Sequence, residues 1–545
     1  MPSVNEPAAF GLLDGEARED EMYSNTQRKP HINSKRIMMK ILLGVLLAFV
    51  GLVMVLAIRT MTLKANVEDL QGEGLKTNFE VSIAEGLSDV IRFATISYDR
   101  YSPWRINHTA FRGLNEYLFK RFPLVFTDPP SWITHKTIAN YSILIHVRGR
   151  NAELKPYMLC AHLDVVPVDE KLWTHPPFEG FTDETHVWGR GTLDNKHNLM
   201  AILEALALRV ERKQVPKRSF YIAFGHDEEI SGFNGAKAIA ENLASTGVKL
   251  EFILDEGLVI LKKGVPGLEN PMALIGVAEK GYLTVKVKCT DAAKHSSIPS
   301  QETAITILAK ALTRFTGNAH PAHLTELQES LLREAAPYAR FPFNVVYLNL
   351  WLFRPLLWLH MSRVNTLASQ MRTTSAVTVI EGGSKENVIP NEAEALVNHR
   401  ILPGYSIREV LEFDQNLVKD IPNVSVEIFR DSGTEPTLAS PHDENSFGFS
   451  QIKKTTRQIH PTALVAPSLM VANTDTKHYF AANLTESIYR YSAVPMTFAD
   501  TAMVHGNNEK ISKLDFQRLA DFYYQLIKNC DEDHTDGATT RRAEL

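Results

Sequence analysis

Phe224-Gly225-His226-Asp227-Glu228-Glu229 decides the reading of this chain: an apolar, strand-like run (Ser219 to Gly225) ends in a histidine and three acids. The pattern recurs. Tyr157 to Ala161 runs into His162-Leu163-Asp164, and Leu250 to Leu254 runs into Asp255-Glu256-Gly257. Gly189-Arg190-Gly191-Thr192-Leu193-Asp194 and His505-Gly506-Asn507-Asn508-Glu509 add two further groups. In open α/β sheets ligand sites form beyond the carboxyl ends of strands. Five such groups imply one built site.

Clustered carboxylates raise one another's pKa and hold protons unless cations offset them. Two divalent metals set against Asp194, Glu229, Asp255 and a hydroxide leave such a site near neutral. Imidazole and carboxylate donors suit zinc, with cobalt or manganese as substitutes. Asp194 is the expected bridge between metals about 3.5–4 Å apart. His162 and Asp255 complete one metal; Glu229 and His505 complete the other. Asp164, two residues beyond His162 on a strand, faces the same way and orients the imidazole. Glu228 adjoins a ligand without a metal of its own, so it is placed to take a proton from water. Taken singly, a His-x-Asp pair or an acidic run is an ordinary surface or core feature; their joint occurrence after strands is not.

These motifs carry a resemblance. Ala161-His162-Leu163-Asp164-Val165-Val166-Pro167, Trp188 to Asp194, Phe224 to Glu229, Ala278-Glu279-Lys280-Gly281, Asn387-Val388-Ile389-Pro390 and His505 to Ile511 resemble the di-zinc aminoacylase/carboxypeptidase S metallopeptidase family. Within it the chain is most similar to the N-fatty-acyl-amino acid synthase/hydrolase branch, over about residues 75–530. The resemblance implies hydrolysis, and reversible formation, of N-fatty-acyl amino acids from fatty acid and amino acid, with two zinc ions per subunit. It adds three positions that spacing does not supply. His295 matches a lid histidine that polarises the scissile carbonyl, often from a partner subunit. Arg400 matches the arginine that binds the substrate carboxylate, a task its planar fork suits. Asn387 matches a substrate-contacting asparagine. Lys294 departs from the family, where glycine commonly precedes the lid histidine. A carboxypeptidase S-like dipeptidase would share every one of these residues. A catalytically inactive carrier of lipidated amino acids is a reading of another class, opposed by the intact Glu228 and ligand set.

The N-terminus is the second strong signal. Ile41 to Ile58 is an uncharged apolar run long enough to span a bilayer with some flanking help. Arg28, Lys29, Lys35, Arg36 and Lys40 precede it, against Arg59 and Lys64 after it. The positive-inside rule then puts residues 1–40 in the cytosol as a disordered tail, with 41–58 as the transmembrane signal anchor of a single-pass type II membrane protein. Four sequons, at Asn107, Asn140, Asn423 and Asn483, all fall on the expected extracellular or lumenal side.

Beyond the anchor, alternating strands and helices predict an α/β fold with a mainly parallel sheet, and the resemblance implies a di-zinc exopeptidase-like catalytic domain in two parts, 75–280 and 403–530. Asn195 to Arg212 reads as a helix. From Tyr282 to Cys289, Ala376 to Ile380 and Ala393 to Ile401 the apolar positions alternate, as half-solvated antiparallel strands do. These predict an inserted α+β lid domain at 281–402, through which the resemblance implies a homodimer would form, and the polar composition of 531–545 reads as a disordered tail. Phe341 to Met361 is apolar but interrupted by Asn344, Asn349, Arg354 and Pro355, so it is no second span. It reads first as helices packed on the lid sheet, and second as a wall for an acyl chain. A net charge of −5 gives no case for nucleic acid binding, and three cysteines exclude a disulfide scaffold. The implied partners are small molecules and the membrane.

Overall fold

A computed structural model of the chain describes residues 34–64, 70–77, 79, 83–100, 102 and 105–531. Most of the expected N-terminal tail and all but the first residue of the 531–545 tail lie outside the described residues. The apolar run lies within one helix, Ser34–Lys64. Its most apolar window has a mean hydropathy of 3.1, which is long and apolar enough to cross a membrane. The chain divides into two units after Ile58, within this helix.

The site is built on an eight-stranded sheet. Its order is Ile133–Ile138, Ser142–Val147, Phe220–Gly225, Tyr157–His162, Ile253–Leu261, Ile488–Met496, Met272–Glu279 and Leu464–Met470. Tyr157–His162 is parallel to both its neighbours, and Ile253–Leu261 is parallel to Ile488–Met496. The first two strands form an antiparallel edge, so the sheet is mixed around a parallel centre. Every residue of Tyr157–His162 is buried, as a strand covered on both faces requires. Helix Lys196–Glu211 covers one face and buries Leu199, Ile202, Leu203, Leu206 and Leu208.

One expected boundary was displaced. The apolar run Leu250 to Leu254 was expected to end before Asp255, but the strand begins at Ile253 and continues to Leu261. A register shift follows Asp255, where Arg490 pairs with Asp255 and Tyr491 with Leu258. Gly257 makes it possible: its φ is +149°, and a Cβ there would meet Arg490 at 2.7 Å.

A separate four-stranded antiparallel sheet runs Thr374–Gly382, Glu392–Ile401, Gly281–Thr290, Val424–Thr434. It takes in one strand beyond residue 402. Helices Ala304–Gly317 and Ile407–Val418 cover it, each opened by a capping box, at Thr303 and Ser406. Their apolar faces and the inward strand positions make its own core, including Val285, Val287, Leu308, Val397 and Val410.

The apolar stretch becomes two short helices, Phe343–Leu348 and Leu350–Met361. They pack on helix Glu326–Ala335 and the 265–268 connection, through Leu332, Ala336, Tyr347 and Leu350. The expected seat on the four-stranded sheet is therefore corrected; the buried face of that sheet is taken by its own helices. With Met272, Leu274, Leu469 and Phe498, the two helices enclose an apolar cavity of about 510 Å³. Leu356, Leu357, His360 and Met361 line it.

Candidate metal centre

His162 ends its strand beside the C-terminal end of Phe220–Gly225, so the two chemical segments emerge together. Its Nε2 is 3.0 Å from Asp194 Oδ1 and 3.3 Å from Glu256 Oε1. The other oxygen of Asp194 is 2.9 Å from His505 Nε2, which also lies 3.1 Å from Glu229 Oε2. Asp194 thus stands between two imidazoles, the arrangement expected of a bridge. Donor atoms of His162, Asp194 and Glu229 lie within 4.8 Å of one another, as do those of His162, Glu228 and Glu256.

Asp164 does more than orient an imidazole. Its carboxylate is 3.3 Å from His162 Nδ1, accepts Ser97 Oγ at 2.7 Å, and accepts the backbone N–H groups of Glu228 and Glu229 at 3.1 Å. Burial alone would raise its pKa; the hydrogen bonds, led by His162, bring it below the usual carboxylate range.

The other carboxylates go the opposite way. Burial, then the charge of Asp194, pushes Glu229 up to about 6. Burial also pushes Asp255 up to about 6 and holds Glu228 and Glu256 well above their usual range, helped by the charge of Glu256 at Glu228 and by those of Asp194 and Asp255 at Glu256. His505 is pushed up to about 10 by hydrogen bonds to Asp194 and Glu229. Glu229 Oε1 and Asp255 Oδ2 are buried with no hydrogen-bond partner among the described residues. Unpaired buried oxygens amid crowded carboxylates and imidazoles are what divalent cations relieve, so the donor set fits metal.

Asp255 lies in the site but outside both donor groups. Its Oδ1 accepts the Glu256 N–H at 2.9 Å. Glu256 instead approaches His162. Residue type and spacing did not single it out, because its direction depends on the shift at Gly257. Glu509 was also missed. Buried, it accepts the N–H groups of Gly191, Leu193 and Asp194 and pairs with Arg190 Nη1 at 2.7 Å.

Arg400 lies on Glu392–Ile401, its guanidinium 5.1 Å from the Tyr282 ring and donating to Asn473 Oδ1 at 2.8 Å. Burial lowers its pKa from the usual arginine value, offset in part by the charges of Tyr282, Glu279 and Glu228. His295 and Asn387 are brought together but not to the cluster. Lys294–His295 pairs with Val388–Ile389, and Asn387 O accepts the Ser296 N–H. The exposed His295 imidazole bonds Ser297 within its own loop.

Residues 158–529 match the family model described as peptidase family M20/M25/M40. The chain belongs to this family. It is 40% identical over 504 residues to the Xenopus tropicalis N-fatty-acyl-amino acid synthase/hydrolase PM20D1, covering 91% of this chain and 96% of that one. It is 37% identical over 531 residues to a probable carboxypeptidase S-like protein of Dictyostelium discoideum, covering 94% and 99%. Among solved structures, an M20 family metallo-carboxypeptidase from Sulfolobus solfataricus shares the fold, with TM-score 0.60 and 16% identity over 83% of this chain and 99% of that one. Human carnosine dipeptidase 1 does so with TM-score 0.56 and 15% identity over 82% and 96%. This M20 chain is therefore a metal-dependent hydrolase, with the mixed α/β fold of its family.

Proposed function

We propose that the chain hydrolyses, and reversibly forms, N-fatty-acyl amino acids at a two-zinc site. Asp194 would bridge, His162 and Asp255 would hold one ion, and Glu229 and His505 the other; Co²⁺ or Mn²⁺ suits the same donors. When bound, the pair supplies Lewis acidity that activates water and polarises the amide carbonyl.

The chain's own groups do the rest. Glu228, raised by burial beside Glu256, takes the proton from water and returns it to the leaving amine. Asp164 fixes the His162 ring and the backbone that carries Glu228. Arg400 pairs with the substrate's free carboxylate, with Asn387 and His295 reaching the substrate from the lid, His295 in a homodimer from the partner copy. The lid would be the four-stranded sheet with its helices, which carries the expected 281–402 insertion on to Thr434 and moves the start of the second catalytic part beyond that strand.

One observation carries the fatty-acyl reading: the cavity of about 510 Å³ walled by Leu356, Leu357, Leu469 and Phe498. Its wall strand, Leu464–Met470, leads directly to Asn473, the partner of Arg400. An acyl chain in the cavity and a carboxylate on Arg400 would thus bind from one strand and the loop that follows it. The names of the PM20D1 relatives agree with this reading, and that of the carboxypeptidase S-like relative supports a peptide-cleaving alternative. Assay of the purified protein on an N-oleoyl amino acid and on a dipeptide decides: turnover of the dipeptide alone would establish the alternative, and turnover of neither would leave a binding protein.

The apolar helix is proposed as a type II anchor, with the catalytic unit extracellular or lumenal. Asn140, Asn423 and Asn483 are exposed, with φ of 75°, 62° and 51°. Asn107 instead caps helix His108–Arg121, and its Nδ2 is spent on Ala94 O. Glycans are therefore expected at the first three.

A further inference from the structure

A second set of metal-type donors lies in the small-sheet domain, apart from the carboxylate cluster. The strand Glu392–Ile401 alternates, sending Ala395, Val397, His399 and Ile401 to its buried face and leaving Arg400 on the other. Helix Ile407–Val418 brings Asp414 to that buried face, and the chain just past helix Ala304–Gly317 brings His320. All three are buried, His399 and Asp414 completely. One donor atom from each lies within 4.8 Å of the others. His320 is stacked on Phe413, ring centroids 4.1 Å apart, and stands edge-on to His399.

The hydrogen bonding is incomplete. His399 Nδ1 is engaged by Ser375 Oγ at 3.0 Å, which leaves Nε2 for the interior. That Nε2 comes 2.9 Å from Asp414 Oδ2, yet the approach lacks hydrogen-bond geometry. Nε2 of His320, Nε2 of His399 and both oxygens of Asp414 are buried without a hydrogen-bond partner among the described residues. Four such atoms at one point are unusual in a folded core, where buried polar groups are nearly always paired. A simple His399–Asp414 ion pair would still leave His320 Nε2 and Asp414 Oδ1 orphaned.

We propose that His320, His399 and Asp414 form a structural site for one divalent transition-metal ion, zinc by its donor chemistry. Two imidazoles and one oxygen of the carboxylate supply three of the four donors that tetrahedral zinc takes, and a water would supply the fourth. Donors on tetrahedral zinc stand about 3.4 Å apart, so closing the site asks for side-chain shifts of about an ångström. The ion would tie strand, helix and inter-helix connection of this domain to one point. It would also steady the strand that presents Arg400, the residue after His399. The proposal is independent of which amide the enzyme cleaves.

The test is zinc content by mass spectrometry on full-length protein in detergent, equilibrated with zinc and then desalted. His320→Gln and Asp414→Asn are each expected to lose one equivalent relative to the wild type, while the equivalents held at the catalytic cluster remain. Equal zinc in the wild type and a folded His320→Gln would overturn the site. Should neither variant fold, anomalous scattering at the zinc edge from wild-type crystals decides. A peak among the three side chains is expected; a peak at the catalytic cluster alone overturns the proposal.

Discussion

Glu509 and Asp194 lie 315 residues apart in sequence, yet Glu509 Oε1 accepts the Asp194 backbone N–H at 3.1 Å. The same carboxylate takes the N–H of Leu193 at 2.5 Å and the guanidinium of Arg190 at 2.7 Å. It therefore sets the loop that aims the proposed bridging carboxylate, and Glu509→Gln should disturb metal binding without removing a ligand. The amide would present donors to donors and leave Arg190 unpaired in the interior. Loss of such an outer partner typically weakens metal binding about 10–100-fold. Competition with a chelator measures this; unchanged affinity in the folded variant would refute the positioning role.

Asp194 touches both imidazoles, at 3.0 Å from His162 and 2.9 Å from His505. Asp194→Ala should therefore empty the site of both metals. His162→Ala and His505→Ala should each weaken one first. Metal titration back into the three proteins separates the cases, and two tight equivalents in Asp194→Ala would move the bridge elsewhere.

Glu228 is expected to move protons only. Glu228→Gln should keep its metal while losing more than the roughly 10²–10⁴-fold in kcat typical of one acid–base group, since it serves two steps. The geometry adds a complication, because Glu228 shares a donor group with His162 and Glu256. Metal loss in Glu228→Gln would make it a ligand.

The cluster was legible because its signals are local: an apolar run, then His or Asp, read as a strand end with a ligand. The same logic failed at Asp255. There the strand runs on past the acid, and the shift at Gly257 turns Glu256 toward His162. Glu509 was beyond reach for a different reason, since its partners are backbone N–H groups that leave no pattern in sequence. Arg400, His295 and Asn387 were named only through resemblance; nothing about their spacing marks them. The apolar helices at 343–361 were anticipated, but their packing partner was not, because an apolar face does not say which apolar face it meets.

Acid should destabilise the fold in part through His460. Burial, helped by the charge of Arg518, pushes it down to about 4, and its Nε2 has no hydrogen-bond partner among the described residues. A folded pKa below the unfolded 6.5 means that the unfolded chain takes the proton first. The contribution is then present above pH 6.5 and is lost as pH falls toward 4, a loss of about 2–3 kcal/mol by pH 4.5. Asp521, pushed up to about 6 by burial, acts in the opposite sense, so the comparison must be between variants. Denaturant unfolding of wild type and His460→Gln at pH 7.5 and 4.5 should show the smaller loss in the variant. Parallel losses would mean that His460 is not held neutral.

Substrate selection tests the cavity and Arg400 together. An amidated or esterified N-acyl amino acid cannot pair with the guanidinium, and losing such a charge-assisted contact typically costs about 1.5–3 kcal/mol, ten- to a hundred-fold or more in kcat/KM. The acyl end should respond separately. If Leu356, Leu357 and Phe498 wall the chain's path, kcat/KM should rise from acetyl to oleoyl by up to about 0.8 kcal/mol per newly buried methylene. Leu357→Trp would fill part of the cavity, so its chain-length profile should plateau earlier while short acyl substrates react as before. Trp351 does not line the cavity, and Trp351→Ala should leave the profile unchanged. A profile that peaks at acetyl in the wild type would remove the fatty-acyl reading and leave an ordinary aminoacylase with the same metal centre.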